Sequence, residues 1–252
     1  MTAPIVSIQL YTVRDFAGND VKGTLQKIKD MGYDYVEPAG TYNMPVHELR
    51  AMLDEIGLCA YSAHVPFSLF EKDLQGTVEA YKVLGCKVIA IPFLERKYLP
   101  EGELYDRTKE IFVKLAKLCN EADIKVAYHN HSFEFEVMPN GDYLLDRLFH
   151  ELPQIFAELD TGWIMAAGLS PHDYIRKYKG RCPLIHLKDT VKVGDGFEDR
   201  PVGEGSQDIP AAIEAALDMG AVGFVVELDQ AHGISSLEAA QRSREFLKKL
   251  GY

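Results

Sequence analysis

KVAYHNHSFEFEVMPNGDYLLDRLFHELPQIFAELD, residues 125–160, holds one complete turn of a pattern that recurs along the chain. A short apolar run at 125–131 leads into a polar loop, then an amphipathic helical stretch, then a second strand-like run at 155–160. A strand-length apolar run alternating with a segment of helical period is the mark of a βα unit. Read outward in both directions, the pattern predicts eight strands, at residues 5–11, 35–38, 60–65, 88–93, 125–131, 155–160, 184–188 and 224–228, with a helical segment between each and the next. The helices carry their own punctuation. The first runs into Asp30-Met31-Gly32, the second opens near Pro45 and stops at Gly57, and the third stops at Gly85. The seventh opens after Asp208 and stops at Gly220, and the last opens on a Ser235-x-x-Glu238 capping pattern and runs to Gly251. Eight such units in 252 residues, with no linker-like tract, predict an α/β fold: a single (β/α)8 TIM barrel spanning residues 1–252. The alternative, a doubly wound sheet, lacks the Gly-rich fingerprint that would follow its first strand.

Composition narrows the function. With 27 Lys+Arg against 38 Asp+Glu the formal net charge is −11, the wrong sign for a nucleic-acid partner. No apolar run approaches the roughly 18–20 residues of a membrane span. Met1-Thr2-Ala3-Pro4 runs straight into the first strand without the features of a signal peptide, so a cytoplasmic location is expected. The four cysteines, Cys59, Cys86, Cys119 and Cys182, have no CxxC spacing and are expected as free thiols. A homodimer is the default expectation for a soluble enzyme.

In a barrel of this kind the active site sits at the C-terminal ends of the strands. Here those ends are crowded with polar groups: Gln9, Glu37, His64, His129 and His131, Glu158 and Asp160, His186 and Lys188, and Glu227 and Asp229. Strand side chains alternate faces, so His129 shares a face with His131, and His186 with Lys188. Several carboxylates and imidazoles around one barrel mouth would leave buried charge uncompensated unless a cation joins them. Imidazole and carboxylate donors without thiolates suit one divalent ion, Mn, Co, Fe or Zn, with Mg also compatible. Such an ion polarises a carbonyl and stabilises the enediolate formed when a neighbouring C–H is deprotonated.

Glu37, His64, the His129-Asn130-His131 end of strand five, Asp160-Thr161-Gly162, His186-Leu187-Lys188-Asp189 and Glu227 fall in order, one motif per strand end. This set resembles the xylose isomerase-like TIM-barrel superfamily of sugar isomerases and epimerases, inosose dehydratases and apurinic-site endonucleases, over essentially the whole chain. The resemblance implies a metal held by His129, Asp160, His186 and Glu227, and a small carbohydrate substrate. It also implies that Arg200, ahead of Gly203-Glu204-Gly205 in the Gly-rich loop 191–206, contacts substrate hydroxyls. The activity implied is a metal-dependent sugar isomerase or epimerase, acting by proton abstraction next to a metal-bound carbonyl of a keto-sugar or cyclitol.

Two positions depart from the epimerase pattern. Those enzymes carry Glu where this chain has His129, and His where it has its single tryptophan, Trp163. His at the strand-five position resembles the inosose dehydratase branch, which makes a dehydratase or keto-glycoside lyase, acting by β-elimination, the alternative. Roles follow for the remaining residues. His131 is the acid/base candidate, since imidazole titrates near neutrality. Lys188 would stabilise enediolate charge, and Glu227 is assigned to proton transfer as well as to the metal. Glu37 and His64 would line the opposite wall, as a second proton-transfer group and a hydroxyl ligand, beside Gln9. Trp163 would offer its face to the C–H side of a sugar. An apurinic-site endonuclease is disfavoured by the acidic surface, and a non-catalytic sugar-binding barrel by the intact ligand set. Asp229 and the acidic stretch 195–199 would repel a phosphate dianion, so a neutral sugar or cyclitol is expected.

Overall fold

The computed structural model describes residues 3–252; Met1 and Thr2, which open the stretch read for a targeting signal, lie outside the described residues. All eight expected strand positions are occupied. They are β1 (Ile5–Gln9), β2 (Tyr35–Glu37), a third strand split at Tyr61 into β3 (Cys59–Ala60) and β4 (Ser62–His64), β5 (Val88–Ile91), β6 (Lys125–His129), β7 (Phe156–Asp160), β8 (Leu184–Leu187) and β11 (Gly223–Val226). Between the last two lies a hairpin, β9 (Asp189–Val193) and β10 (Gly196–Arg200). The barrel strands pair in parallel in the order β3-β2-β1-β11-β8-β7-β6-β5-β4. The ring closes through the split third strand: β3 pairs with β2 at Tyr35–Cys59 and Val36–Ala60, β4 pairs with β5, and a bridge from Ala39 to His64 with a 2.9 Å bond from His64 N–H to the Pro38 carbonyl adds a further link between β2 and β4.

The helices start and stop where their signals lie. Val21–Met31, Val46–Ile56 and Leu74–Leu84 end at Gly32, Gly57 and Gly85, and Gly32 has φ 93°, a left-handed conformation that only glycine adopts readily. Ile209–Asp218 is capped by the Asp208 carboxylate and Ser236–Lys249 by the Ser235 hydroxyl, which accepts from Glu238 N–H at 3.1 Å.

The strands sort their side chains by parity. Ile8, Val36, Ile89, Tyr128, Leu159, Ile185 and Phe224 belong to the large cluster packed under the helices. Val88, Ala90, Ala127, Leu184 and Val225 form a separate small cluster, with Tyr61 and Phe156 packed against it. These two sets are the outer and inner faces of a strand ring. The inner one is filled by few and mostly small apolar residues. It leaves the upper interior to a polar layer whose members Gln9, Glu37, Ser62, Glu158 and His186 are all fully buried.

Seven strand ends and one loop differ from the sequence reading. The strands end one to two residues earlier than the expected 11, 38, 65, 93, 131, 188 and 228, because the chain turns into 3-10 helix or loop once it clears the barrel rim. The expected loop at 191–206 is largely the antiparallel hairpin, turning at Gly194-Asp195, followed by a short irregular stretch. That stretch hangs on one buried carboxylate: Asp189 accepts backbone N–H bonds from Thr190 (2.9 Å), Gly203 (2.9 Å), Gly205 (2.9 Å) and Gln207 (3.2 Å). No helix among the described residues is long and apolar enough to cross a membrane.

Removing the Asp189 carboxylate strands four N–H donors, so Asp189→Ala is expected to lose about 2–4 kcal/mol and Asp189→Asn less. Urea unfolding followed by the fluorescence of Trp163 measures both; equal stability of Asp189→Ala and wild type would refute the anchor.

Candidate metal centre

The site is assembled from the C-terminal ends of β6, β7, β8 and β11. β6 delivers His129 and stops; Asn130 then accepts the N–H of Asp160 on its amide oxygen (3.0 Å), tying the end of one strand to the next. His131 lies beyond the strand, in a turn fixed by the buried Glu134, which accepts the His131 N–H (2.8 Å) and the Tyr128 hydroxyl (2.6 Å). The expected shared direction of His129 and His131 holds, with ring centroids 5.4 Å apart.

Asp160 has two duties. Its Oδ1 caps the helix Thr161–Ala166 by accepting from Trp163 N–H at 2.9 Å, and its Oδ2 is buried without a hydrogen-bond partner. His186 on β8 sets Nδ1 2.8 Å from Glu227 Oε2. Lys188, 2% exposed, places Nζ 2.7 Å from Asp229 Oδ2, 3.3 Å from Asp160 Oδ2 and 3.4 Å from Glu227 Oε2, with its charge 4.8 Å from the centre of the Trp163 ring. Gly162 makes this approach fit: a Cβ there would lie 2.7 Å from Lys188 Cγ and 2.9 Å from the Lys188 carbonyl oxygen.

One ligand atom from each of His129, Asp160, His186 and Glu227 lies within 4.8 Å of the other three. The four residues expected as ligands therefore converge at one point. Asp160 Oδ2, which has no hydrogen bond and faces the Lys188 ammonium at 3.3 Å, and the pairing of two imidazoles with two carboxylates fit a divalent cation. Electrostatics point the same way. Burial, and then the neighbouring His186 and His64, push His129 well below the usual histidine range, leaving it a neutral lone-pair donor. Burial opposes charge on Glu227, but Lys188 and His186 hold it well below the usual carboxylate range. Burial raises Asp160, against the pull of Lys188. Burial also opposes charge on Lys188, yet Asp160, Glu227 and Asp229 keep it above the usual lysine range, a fixed cation.

Above this group opens a cavity of about 490 Å³, lined among others by His64, His129, His131, Lys188, Glu227 and Asp229, with Tyr11 and Phe93 on its walls. Trp163, expected at the substrate, is not among the lining residues; its ring lies 5.4 Å from that of His131, which is. Three other residues expected at the substrate also lie elsewhere. Gln9 is fully buried and donates to Glu37 (2.7 Å), and Glu37 is itself fully buried, its carboxylate also taking the Ser62 hydroxyl. Arg200, at the end of β10, pairs with Glu198 at 2.8 Å because the hairpin geometry brings alternate residues of one strand face together. Glu158, assigned no role from sequence, lies at the centre of the buried group, its Oε2 2.8 Å from His64 Nε2.

A closed parallel barrel with a mixed His/carboxylate group at its C-terminal mouth defines the class. The chain belongs to the xylose isomerase-like TIM barrel family, whose model matches residues 25–250, a superfamily of enzymes. Among curated relatives, an inosose dehydratase of Clostridium perfringens (strain 13 / Type A) is 24% identical over 257 residues, covering 86% of each chain. Among solved structures, a sugar phosphate isomerase/epimerase from Parabacteroides distasonis superposes with a TM-score of 0.81 at 22% identity, over 98% of this chain and 94% of that one. The IOLI protein, solved with a bound zinc atom, superposes at 0.71 with 16% identity, over 98% and 97%. At these identities the structural likeness is one of fold.

Gly162→Ala is expected to force Lys188 aside and cost about 1–2 kcal/mol net of the better helix propensity of alanine. Gly196→Ala, on the open hairpin where the nearest contact is 3.9 Å, is the matched control and should change stability by less than about 0.5 kcal/mol in the same urea titration.

Proposed function

We propose that this chain is a divalent-metal-dependent enzyme that removes the proton next to the carbonyl of a keto-sugar or cyclitol. The observation that carries the reading is the convergence of His129, Asp160, His186 and Glu227 on one point at the floor of an open cavity, with the Lys188 cation beside them. A divalent ion held by those four side chains supplies Lewis acidity, polarising the substrate carbonyl and making its neighbouring C–H acidic.

This chain's own groups do the rest. Lys188, held charged by three carboxylates, adds a fixed positive potential where negative charge develops on the substrate oxygen. His131 is the proton acceptor: it faces the cavity, is about a quarter exposed, and is free of the buried cluster. Its ring is wedged between Phe93 (5.6 Å) and Trp163 (5.4 Å), and Glu134 fixes its backbone, so its position is defined without a hydrogen bond that would compete for its lone pair. Tyr11 and Phe93 give the substrate apolar walls, and Asp229 presents a carboxylate that selects for hydroxyls and against phosphate.

The same first step serves isomerisation, epimerisation and elimination. Elimination is favoured by the residue at the end of β6, where His129 stands in place of the Glu of the epimerase pattern, so a matched pair of glutamates is not presented. The relatives named inosose dehydratase support the same outcome.

Purified wild type is expected to carry about one equivalent of a divalent metal, lost in His129→Ala and Glu227→Ala, by elemental analysis. Proton NMR in D2O with a common ketose and a keto-cyclitol then separates the outcomes. Loss of a ring hydroxyl marks the eliminating enzyme, and deuterium wash-in without water loss marks the isomerase or epimerase; a wild type that holds no metal after reconstitution refutes the reading.

Metal affinity has a predictable pH dependence. Asp160 and His186 are both raised, so both bind protons that an incoming cation must displace. Affinity is therefore expected to increase from pH 5 towards pH 8, by up to about tenfold per unit for each proton displaced, with proton release visible in calorimetry across buffers of different ionisation enthalpy. Affinity independent of pH over that window would contradict the ligand set.

A further inference from the structure

Beneath the four ligands lies a second tier of polar side chains that the chemistry above does not use. Glu37 and Glu158 are fully buried and His64 nearly so. β7 makes the relation explicit: Glu158 and Asp160 are two residues apart on one strand face, so the tiers are separated by about 6.6 Å of strand rise.

His129 and His186 span the two tiers. His129 places Nε2 3.9 Å from both Asp160 Oδ2 and Glu227 Oε2 above, and turns Nδ1, which has no hydrogen-bond partner, toward Glu158 Oε2 at 3.6 Å below. His186 makes its hydrogen bond through Nδ1, 2.8 Å from Glu227 Oε2 above, and faces Glu37 Oε1 (3.0 Å) and Glu158 Oε2 (3.3 Å) below with Nε2, which forms no hydrogen bond while no cation holds the upper nitrogen. A neutral imidazole has one lone pair and one N–H, so a ring that ligates through its upper nitrogen must donate from its lower one.

The lower carboxylates are built as acceptors. Glu37 sits among donors: Gln9 Nε2 at 2.7 Å, the Ser62 hydroxyl, and His64 Nε2 at 3.1 Å. Glu158 takes His64 Nε2 at 2.8 Å, and its Oε1 is buried with no hydrogen-bond partner. We propose that Glu158 and Glu37 are positioning residues that set the tautomers of the metal-binding histidines. They hold His129 as Nδ1–H and His186 as Nε2–H, so that only the upper nitrogens carry lone pairs and the centre takes a single ion. Outer carboxylates of this kind orient ligand rings and raise their basicity.

The inference rests on the metal-centre reading and has a definite rival. His64, His129, Glu158 and His186 also form a four-donor group within 4.8 Å, sharing both bridging histidines with the upper one. A second ion there would require both rings to lose their remaining protons and bridge as imidazolates, leaving no N–H on either ring to face Glu37 or Glu158.

Cobalt(II) titration of the metal-free full chain, with paramagnetically shifted proton NMR in H2O and D2O, separates these arrangements. The tautomer assignment predicts one cobalt per chain and two shifted signals present in H2O and lost in D2O, one from each ligating ring. Glu158→Gln, whose amide accepts through one oxygen only, is expected to bind cobalt about 10–100-fold more weakly and to shift or broaden the His129 signal, while Glu37→Gln perturbs the His186 signal. Glu158→Asp should restore part of the affinity. Two cobalt ions per chain, or no exchangeable shifted signals in wild type, would overturn the assignment in favour of a second metal position. Unchanged affinity and spectra in a folded Glu158→Gln would overturn it as well. A wild type that binds no cobalt at all instead removes the metal centre itself, and the tautomer roles with it.

Discussion

The constraint on which this structure turns is the burial of like charge. Glu37, Glu158, Asp160 and Glu227 lie at 4% exposure or less inside one barrel. Carboxylates so placed are tolerable only when each is matched by a donor or a cation. Lys188 supplies one fixed positive charge. The rest is carried by protons on two of the ligands: burial raises Asp160, and although burial disfavours charge on His186, Glu158, Glu37 and Glu227 raise it. Two such protons carry the same charge as one divalent ion, so exchange between them leaves the interior at constant net charge. Metal binding here need not create a new electrostatic environment; it replaces one solution of the same problem with another.

That constraint explains why the inner face is so lightly packed with apolar groups. Ala90 and Ala127 occupy positions where a barrel interior usually carries bulky branched residues. With the polar tiers hydrogen-bonded among themselves, the apolar stabilisation falls to the outer face, where Ile8, Ile89, Leu159, Ile185 and Phe224 pack under the helices. Stability and chemistry are thus divided between alternate residues of the same strands.

Much of this was legible in the sequence because both periodicities are strict. The strand positions, the helix stops at Gly32, Gly57 and Gly85, and the inward direction of His129 and Lys188 follow from alternation and capping alone. Glu158 was harder to read. One tier below a strand end, a carboxylate obeys the same alternation as a ligand, and only the three-dimensional convergence of His64, His129 and His186 on it reveals its partners. Gln9 and Glu37 were misplaced for a related reason: the ends of β1 and β2 lie deeper than those of β6 and β7, a consequence of strand stagger that pattern reading does not contain. The hairpin after β8 did leave a trace, in Val191 and Val193 alternating toward the turn at Gly194-Asp195, but an acidic and glycine-rich composition masks it. Arg200 belongs to that hairpin, which is why a motif-based assignment to substrate sends it to Glu198 instead.

The split third strand carries a last consequence. β2 pairs with β3 at Tyr35–Cys59 and Val36–Ala60, and beyond the break at Tyr61 one further bridge joins Ala39 to His64, whose imidazole also bonds Glu158 at the heart of the buried cluster. The backbone of this residue completes the barrel while its side chain completes the polar interior. Closure of the cylinder above Tyr61 and assembly of the polar interior therefore meet in one residue.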